Sequence, residues 1–247
     1  MRIISIASQK GGCGKSTITT MLASHLAYKL EKKICIIDAD TRQRTIQHMR
    51  EIALDEVKID PQTKEPADVK LCQAFCLQDK KPYPIIGASL DDSIFNVLED
   101  VLNKDYDVVF IDLPGSIENN IFFQVVANCD ILFIPFIQDP VDFQSNFDFC
   151  RVIVNAVLKN KESRLNYMCR FWNRYKDIRP SQFEEMNSFL SEYIPDVIPM
   201  VNRVGYSDAV SNSRCRSSLI SPAEEFLNYK NFNLRNFLEE ASSIILK

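Results

Sequence analysis

A chain of 247 residues is long enough to bury a full parallel sheet, as one α/β domain or two small ones. Charged residues make up 25% and apolar residues 46%, the mix of an ordinary globular protein. The formal net charge of −4 excludes a generally basic nucleic-acid surface, although not a local basic patch.

Apolar runs and helical stripes alternate along the chain, the pattern of a parallel sheet with helices on both faces. Ile3–Ala7 predicts a first strand. Ile18, Met21, Leu22, Leu26 and Leu30 fall at helical spacing and predict a helix over Ile18–Leu30. Lys33–Ile37 reads as a buried strand ending in Asp38-Ala39-Asp40, and Arg44–Glu51 as a second helix. Residues 55–82 hold charges and three prolines with weak periodicity, a surface excursion with one strand around Val69–Phe75. Ile85–Ala88 is a short strand, and Leu90–Leu102 a helix that Asp91 or Asp92 can cap. Val108–Ile111 is an all-apolar strand leading into Asp112-Leu113-Pro114-Gly115.

Further along, Asn120–Ala127 reads as helix, Ile131–Phe136 as a buried strand ended by Pro135, and Val141–Leu158 as a long helix. Tyr167–Phe171 is a strand that enters Trp172-Asn173-Arg174. Pro180–Tyr193 is a helix with Pro180 in its first turn, and Val197–Val201 a last short strand. Helices near Ser221–Tyr229 and over Leu234–Leu246 close the chain. No linker divides the pattern, so a single domain over residues 1–247 is expected.

The stretch Lys10-Gly11-Gly12-Cys13-Gly14-Lys15-Ser16-Thr17 follows the first strand and opens the first helix. Strand, glycine-rich turn and helix is the context of a phosphate-binding loop. Backbone N–H groups of such a turn point inward as an anion nest, and the helix adds its positive dipole end. Side chains at Gly11, Gly12 and Gly14 are expected to clash with the required φ or block the phosphate. Lys15 supplies charge for the terminal phosphates, and Ser16 a hydroxyl for Mg²⁺, a hard cation that prefers oxygen. Asp112, at the end of an apolar strand, is placed to hold that metal through a water. Gly115 completes D-x-x-G, where an N–H can sense the γ-phosphate. Asp38 and Asp40 stand two apart on an extended chain and can face the same pocket.

The strict spacing G-x-x-x-x-G-K-[ST] fails, because its first glycine would fall on Gln9. The form present, K-G-G-x-G-K-[ST], matches the deviant Walker A loop of the ParA/MinD class of ATPases, which the chain resembles over most of its length. The resemblance implies a P-loop NTPase three-layer sandwich, α/β, with a mostly parallel sheet flanked by helices. It implies ATP and Mg²⁺ as ligands, held by Gly11–Thr17 with Ser16, Asp38 and Asp112 toward the metal. Lys10 resembles the signature lysine that crosses a dimer to the other subunit's ATP, like an arginine finger in trans. Asp40 would position or deprotonate the attacking water, and Asp38 would support the metal and the partner's lysine. Here Asp38-Ala39-Asp40 is followed by Thr41-Arg42-Gln43, so the family's proline is replaced by Arg42.

GTPases place N-K-x-D after a late strand, and the slot here reads Asn173-Arg174-Tyr175-Lys176 with Asp177 one residue late. ATP is therefore favoured. In the resemblance Asn173 offers its amide to adenine, and the backbone around Pro199 and Met200 forms a second adenine contact. The D-x-D-x-x-Q form with Thr45-Ile46 and Met49-Arg50-Glu51 is most similar to the ParA-like ATPases of Bacteroides conjugative transposons. That subgroup implies slow, partner-stimulated ATP hydrolysis by an ATP-dependent homodimer, in service of DNA or plasmid partition or of transfer of a mobile element. The expected partners are a ParB-like or conjugation-machinery activator and non-specific DNA, with Arg203, Arg214, Arg216, Lys230 and Arg235 as candidate phosphate contacts.

Other outputs share this engine. A MinD-like positioning switch needs a basic amphipathic tail, whereas Leu234–Lys247 carries Glu239-Glu240 and reads as core packing, so no membrane contact is expected. A nitrogenase-iron-protein-like reductase needs cysteines soon after the Asp112 strand, and residues 113–128 hold none. A dethiobiotin-synthetase-like ligase or kinase remains the alternative from another class. The eight cysteines, at 13, 35, 72, 76, 129, 150, 169 and 215, form no C-x-x-C and are expected to be reduced thiols of a cytoplasmic protein. No apolar run approaches about 18 residues, so no transmembrane helix is expected.

Overall fold

The computed structural model describes residues 1–40, 46–47, 83–115, 120–176, 178–205 and 232–247. The expected excursion at 55–82, its strand at Val69–Phe75, most of the helix Arg44–Glu51 and the helix Ser221–Tyr229 lie outside the described residues.

Seven strands form one sheet: β1 (Arg2–Ile6), β2 (Ile34–Asp38), β3 (Ile85–Gly87), β4 (Val108–Asp112), β5 (Ile131–Phe136), β6 (Tyr167–Trp172) and β7 (Val197–Pro199). Their spatial order is β3-β2-β4-β1-β5-β6-β7, and every pairing is parallel. The expected sheet was mostly parallel; the described one is wholly so. The central strands are buried on both faces, which is why they read as continuous apolar runs rather than as alternation.

Strand parity sorts the core into two layers. Ile4, Ile6, Ile34, Ile36, Val108, Phe110, Phe133 and Phe171 face α1 (Lys15–Ser24) and the last helix, Phe232–Ile245. Ile3, Ile37, Val109, Ile111, Leu132, Ile134 and Trp172 face the other side. That side is covered by α2 (Ser93–Leu102), α3 (Asn120–Ala127), α4 (Pro140–Ile153) and α5 (Pro180–Tyr193). The last helix, α6, buries Leu234, Phe237, Leu238, Ala241 and Ile245 against the first layer, so the tail is core packing as its sequence suggested. Among the described residues no helix is long and apolar enough to cross a membrane.

Two of the predicted helices change pitch. α1 continues as a π turn over His25–Lys29, and α4 as another over Val154–Leu158. At α2, the Asp91 carboxylate accepts the Ser93 N–H, while Asp92 makes no side-chain cap. Pro135 does not end β5, which runs on to Phe136. The reason is geometric: the Phe133 carbonyl accepts the Ala7 N–H, so alternate residues of β5 turn their backbone groups toward β1. The donor that Pro135 lacks falls past Ile6–Phe133, the last pair of the β1–β5 ladder, so no ladder bond is lost. Its carbonyl accepts the Asn146 amide of α4 at 2.8 Å.

Candidate nucleotide site

The carboxyl ends of β1, β2 and β4 meet at the loop that leads into α1. Asp38 and Asp112 are register partners on adjacent strands and share the parity of the α1 face. Both are buried. The Ser16 hydroxyl donates to Asp112 Oδ2 at 2.6 Å, so the first turn of the helix is tied to the end of β4.

The loop's shape rests on two glycines with positive φ, Gly12 at 81° and Gly14 at 89°. Gly11 has neither a positive φ nor any neighbour within 4 Å of an added Cβ, so of the two reasons expected for its glycine only room for the phosphate is left. A third constraint comes from outside the loop. A Cβ on Gly115 would lie 2.7 Å from the Gly11 nitrogen, so this turn packs directly on the Lys10–Gly11 peptide. The Ser8 hydroxyl donates to the Lys10 carbonyl at 2.9 Å and lies 2.6 Å from Cys13 Sγ, which closes the turn from below. The Thr17 side chain is buried.

The two lysines have different partners. Lys15 is buried, and its ammonium donates to the Lys10 carbonyl at 3.2 Å, across the concavity of its own loop. Lys10 points outward to Asp142 on the first turn of α4, 3.1 Å away. Nearby, the Ser145 hydroxyl donates to the Gln9 side chain. Sequence reasoning missed Asp142 and Ser145. A signal was present, because Asp139-Pro140 is a helix-start pair, and Asp139 does accept the Val141 and Asp142 N–H groups.

Burial dominates the electrostatics of the acids. It pushes Asp112 up to about 7, helped by the charges of Asp38 and Asp40 and opposed by the Ser16 hydrogen bond and Lys15. It raises Asp38 as well, against the backbone N–H groups of Gln47, Asp40 and Ile46. Asp38 Oδ2 accepts the Ile46 and Gln47 N–H groups at 3.1 and 3.0 Å, so one oxygen caps a helical turn. The other oxygen, like Asp112 Oδ1, is buried and has no hydrogen-bond partner among the described residues. Two orphaned carboxylate oxygens beside a serine hydroxyl are a hard-oxygen donor set, and they fit a Mg²⁺ ion. Asp40 stands beyond the end of β2 and is half-buried.

Asn173 is buried at the end of β6, and its amide Nδ2 donates to the Cys13 carbonyl of the loop at 2.7 Å. Pro199 is exposed, whereas the Met200 side chain is buried in the α1–α6 layer and its N–H donates to the Arg170 carbonyl. Any base contact from Met200 would therefore fall to its carbonyl. The carboxylate of Glu240 clamps the turn that follows by accepting the Val201 and Asn202 N–H groups. Of the candidate DNA contacts, Arg203 stacks over the Tyr175 and Phe183 rings, 4.5 and 4.2 Å from their centroids, and Arg235 is exposed on α6. Arg214, Arg216 and Lys230 lie outside the described residues, as do Arg42, Gln43 and Asp177.

A sequence model of the ParA family, described as the NUBPL iron-transfer P-loop NTPase family, matches residues 1–129. The chain belongs to the ParA family of P-loop NTPases. Among curated relatives, it is 26% identical over 153 residues to maintenance of carboxysome distribution protein A of Halothiobacillus neapolitanus, covering 62% of this chain and 58% of that protein. It is 30% identical over 141 residues to the iron-sulfur cluster carrier protein of Mycobacterium leprae, covering 54% of this chain and 36% of the relative. These matches thus span less than two thirds of each relative's length. Among solved structures, the septum site-determining protein MinD of Pyrococcus horikoshii, complexed with Mg-ADP, aligns over 98% of this chain and 95% of its own. That alignment has a TM-score of 0.62 at 19% identity, a likeness of fold.

Proposed function

We propose that this ParA-family protein is an ATP-dependent dimerising switch that hydrolyses ATP slowly and moves or transfers DNA. The observation that carries the nucleotide reading is the pairing of a glycine nest and Lys15 with the two orphaned oxygens of Asp38 and Asp112. A triphosphate would take the place of the Lys10 carbonyl as the partner of Lys15. The base would lie along the edge bordered by Asn173 and the Pro199–Met200 segment.

Mg²⁺, when bound to Ser16 with Asp112 and Asp38, would neutralise charge on the phosphate oxygens. Asp40 orients or deprotonates a water, whose oxygen attacks the γ-phosphorus. The bond to the β-γ bridging oxygen breaks, and ADP leaves with the electron pair. Lys10 of each subunit leaves Asp142 and reaches the other subunit's phosphates, where it offsets the charge of the departing group. Two subunits are then held by the nucleotides they share, and hydrolysis lets them part.

The DNA output follows the partition-type motifs, with a ParB-like or conjugation-machinery activator and the transposon subgroup as the narrower reading. It is supported by the D-x-D-x-x-Q signature and by the tail, whose apolar face is buried rather than offered to a lipid surface. An iron-transfer role finds less support in the thiols of Cys35, Cys129, Cys150 and Cys169. Burial pushes Cys35 up to about 11 and Cys169 to about 12, and raises Cys129 and Cys150 further. A metal ligand must be a thiolate.

Phosphate release from ATP, measured with wild type and Lys15→Ala at low salt with and without duplex DNA, tests the proposal. Expected are Mg²⁺-dependent turnover raised by DNA and loss of turnover in the variant. ATP turnover that requires a metabolite and ignores DNA would favour a small-molecule ligase or kinase instead.

A further inference from the structure

We infer that Asn173 is a positioning residue for the phosphate loop, acting through the Cys13 carbonyl, so that it governs affinity for the triphosphate chain whatever base is attached. The inference rests on the nucleotide reading of the site above.

The contact is specific and buried. Asn173 lies 160 residues from Cys13 in sequence, and its Nδ2 reaches the Cys13 carbonyl at 2.7 Å with both groups buried. Its side-chain oxygen and backbone N–H are held too. Oδ1 accepts the Arg174 N–H at 3.0 Å, and the Asn173 N–H donates to the Phe136 carbonyl at the end of β5. Arg174 takes a positive φ of 52°, so the chain turns sharply as soon as Asn173 has been set. The side-chain amide is thus held at both its nitrogen and its oxygen and cannot swing without breaking two hydrogen bonds, while a third anchors its backbone to the end of β5.

The loop is shaped to receive it. A Cβ on Gly14 would stand 2.6 Å from Nδ2, so any side chain there would push the Asn173 amide off the Cys13 carbonyl; the φ of 89° independently favours glycine. Cys13 and Gly14 are the residues whose peptide must point its N–H, not its carbonyl, at a bound phosphate. Holding the Cys13 carbonyl outward fixes that peptide plane before any ligand arrives. A preorganised anion nest binds more tightly than one that must first order itself. One Nδ2 hydrogen remains for a base, but Oδ1 is occupied by its own chain.

The test is calorimetric titration of wild type, Asn173→Ala and the near-isosteric, uncharged Asn173→Leu with ATP, GTP and inorganic tripolyphosphate in one magnesium buffer. Each variant is first checked for an unchanged far-UV spectrum and cooperative unfolding. If one variant does not fold, the other carries the test. The expected result is that both variants lose roughly tenfold in affinity for all three ligands, the order of one buried hydrogen bond, with the ATP:GTP ratio unchanged. Amide exchange across residues 11–17 of the nucleotide-free variant speeds up in parallel. Loss of ATP affinity with tripolyphosphate binding intact would overturn the inference and assign Asn173 to the base, leaving the nucleotide site standing. Wild type that binds neither ATP nor tripolyphosphate would overturn the site itself.

Discussion

The Lys10 ammonium is paired in cis with Asp142, 3.1 Å away, at the rim of the phosphate loop. Both side chains are partly exposed, so the pair is worth about 0–1 kcal/mol and is readily exchanged for a phosphate. It still competes with any role for Lys10 in a second subunit. Asp142→Asn keeps the helix start and removes the charge. Two such pairs open per dimer, so the expected outcome is nucleotide-dependent dimerisation at a protein concentration lower by up to about thirtyfold, read by sedimentation. An unchanged midpoint would show that the pair does not restrain Lys10.

Asp38 and Asp112 hold two carboxylates side by side in the interior, each with an oxygen lacking a partner among the described residues. Such pairs cost stability until a cation joins them. Asp112→Asn is expected to raise the melting temperature of the nucleotide-free protein by about 2–4 °C. The same substitution should abolish the Mg²⁺-dependent gain in nucleotide affinity. Scanning calorimetry and titration of one preparation check both halves.

His25 is buried where α1 changes pitch, and burial next to Lys29 lowers it to about 4 against the pull of Glu239. The folded chain therefore keeps this imidazole neutral while the unfolded chain protonates it near its ordinary 6.5. More protons bind to the unfolded state between those values, so stability is full above about 6.5 and falls as pH drops toward 4. His25→Leu should flatten the slope of unfolding free energy against pH in that window by a difference approaching one proton. Urea titrations at pH 6.5, 5.5 and 4.5 measure it, and parallel slopes would show that His25 is not the group responsible.

Arg170 lies buried on β6 with neutral partners, donating to Asn187 Oδ1 at 3.0 Å and to the Ser191 hydroxyl at 2.9 Å on α5. The Trp172 indole donates to the same Asn187 oxygen. Asn187→Ala leaves one guanidinium N–H group of Arg170 and the Trp172 indole N–H without their acceptor, and is expected to cost about 2–4 kcal/mol. Arg170→Met removes the charge along with its need for partners and should cost far less. Equal losses in the two variants, by urea unfolding, would contradict this order.

The loop, Asp112 and the alternation of elements were legible in the sequence because they are local. Three glycines among lysines after an apolar run, or an aspartate closing one, need no tertiary information. Asp38 was legible as a strand-end acid, but its capping of Ile46 depends on how the chain returns after β2. Pro135 looked like a stop because the register of β1 was unknown. Arg203 read as a candidate DNA contact, since nothing nearby in sequence announces that Tyr175 and Phe183 stack beneath it. The Asn173–Cys13 and Lys10–Asp142 contacts join segments far apart in the chain, and only the folded sheet edge brings them together.

The most direct measurement is the solution mass of wild type and Lys10→Ala by light scattering, with and without a non-hydrolysable ATP analogue and Mg²⁺. The predicted result is a wild-type mass that doubles with nucleotide and a Lys10→Ala mass that stays at one subunit. Wild type that remains at one subunit's mass under saturating nucleotide would contradict the exchange of Lys10 between two copies of the chain.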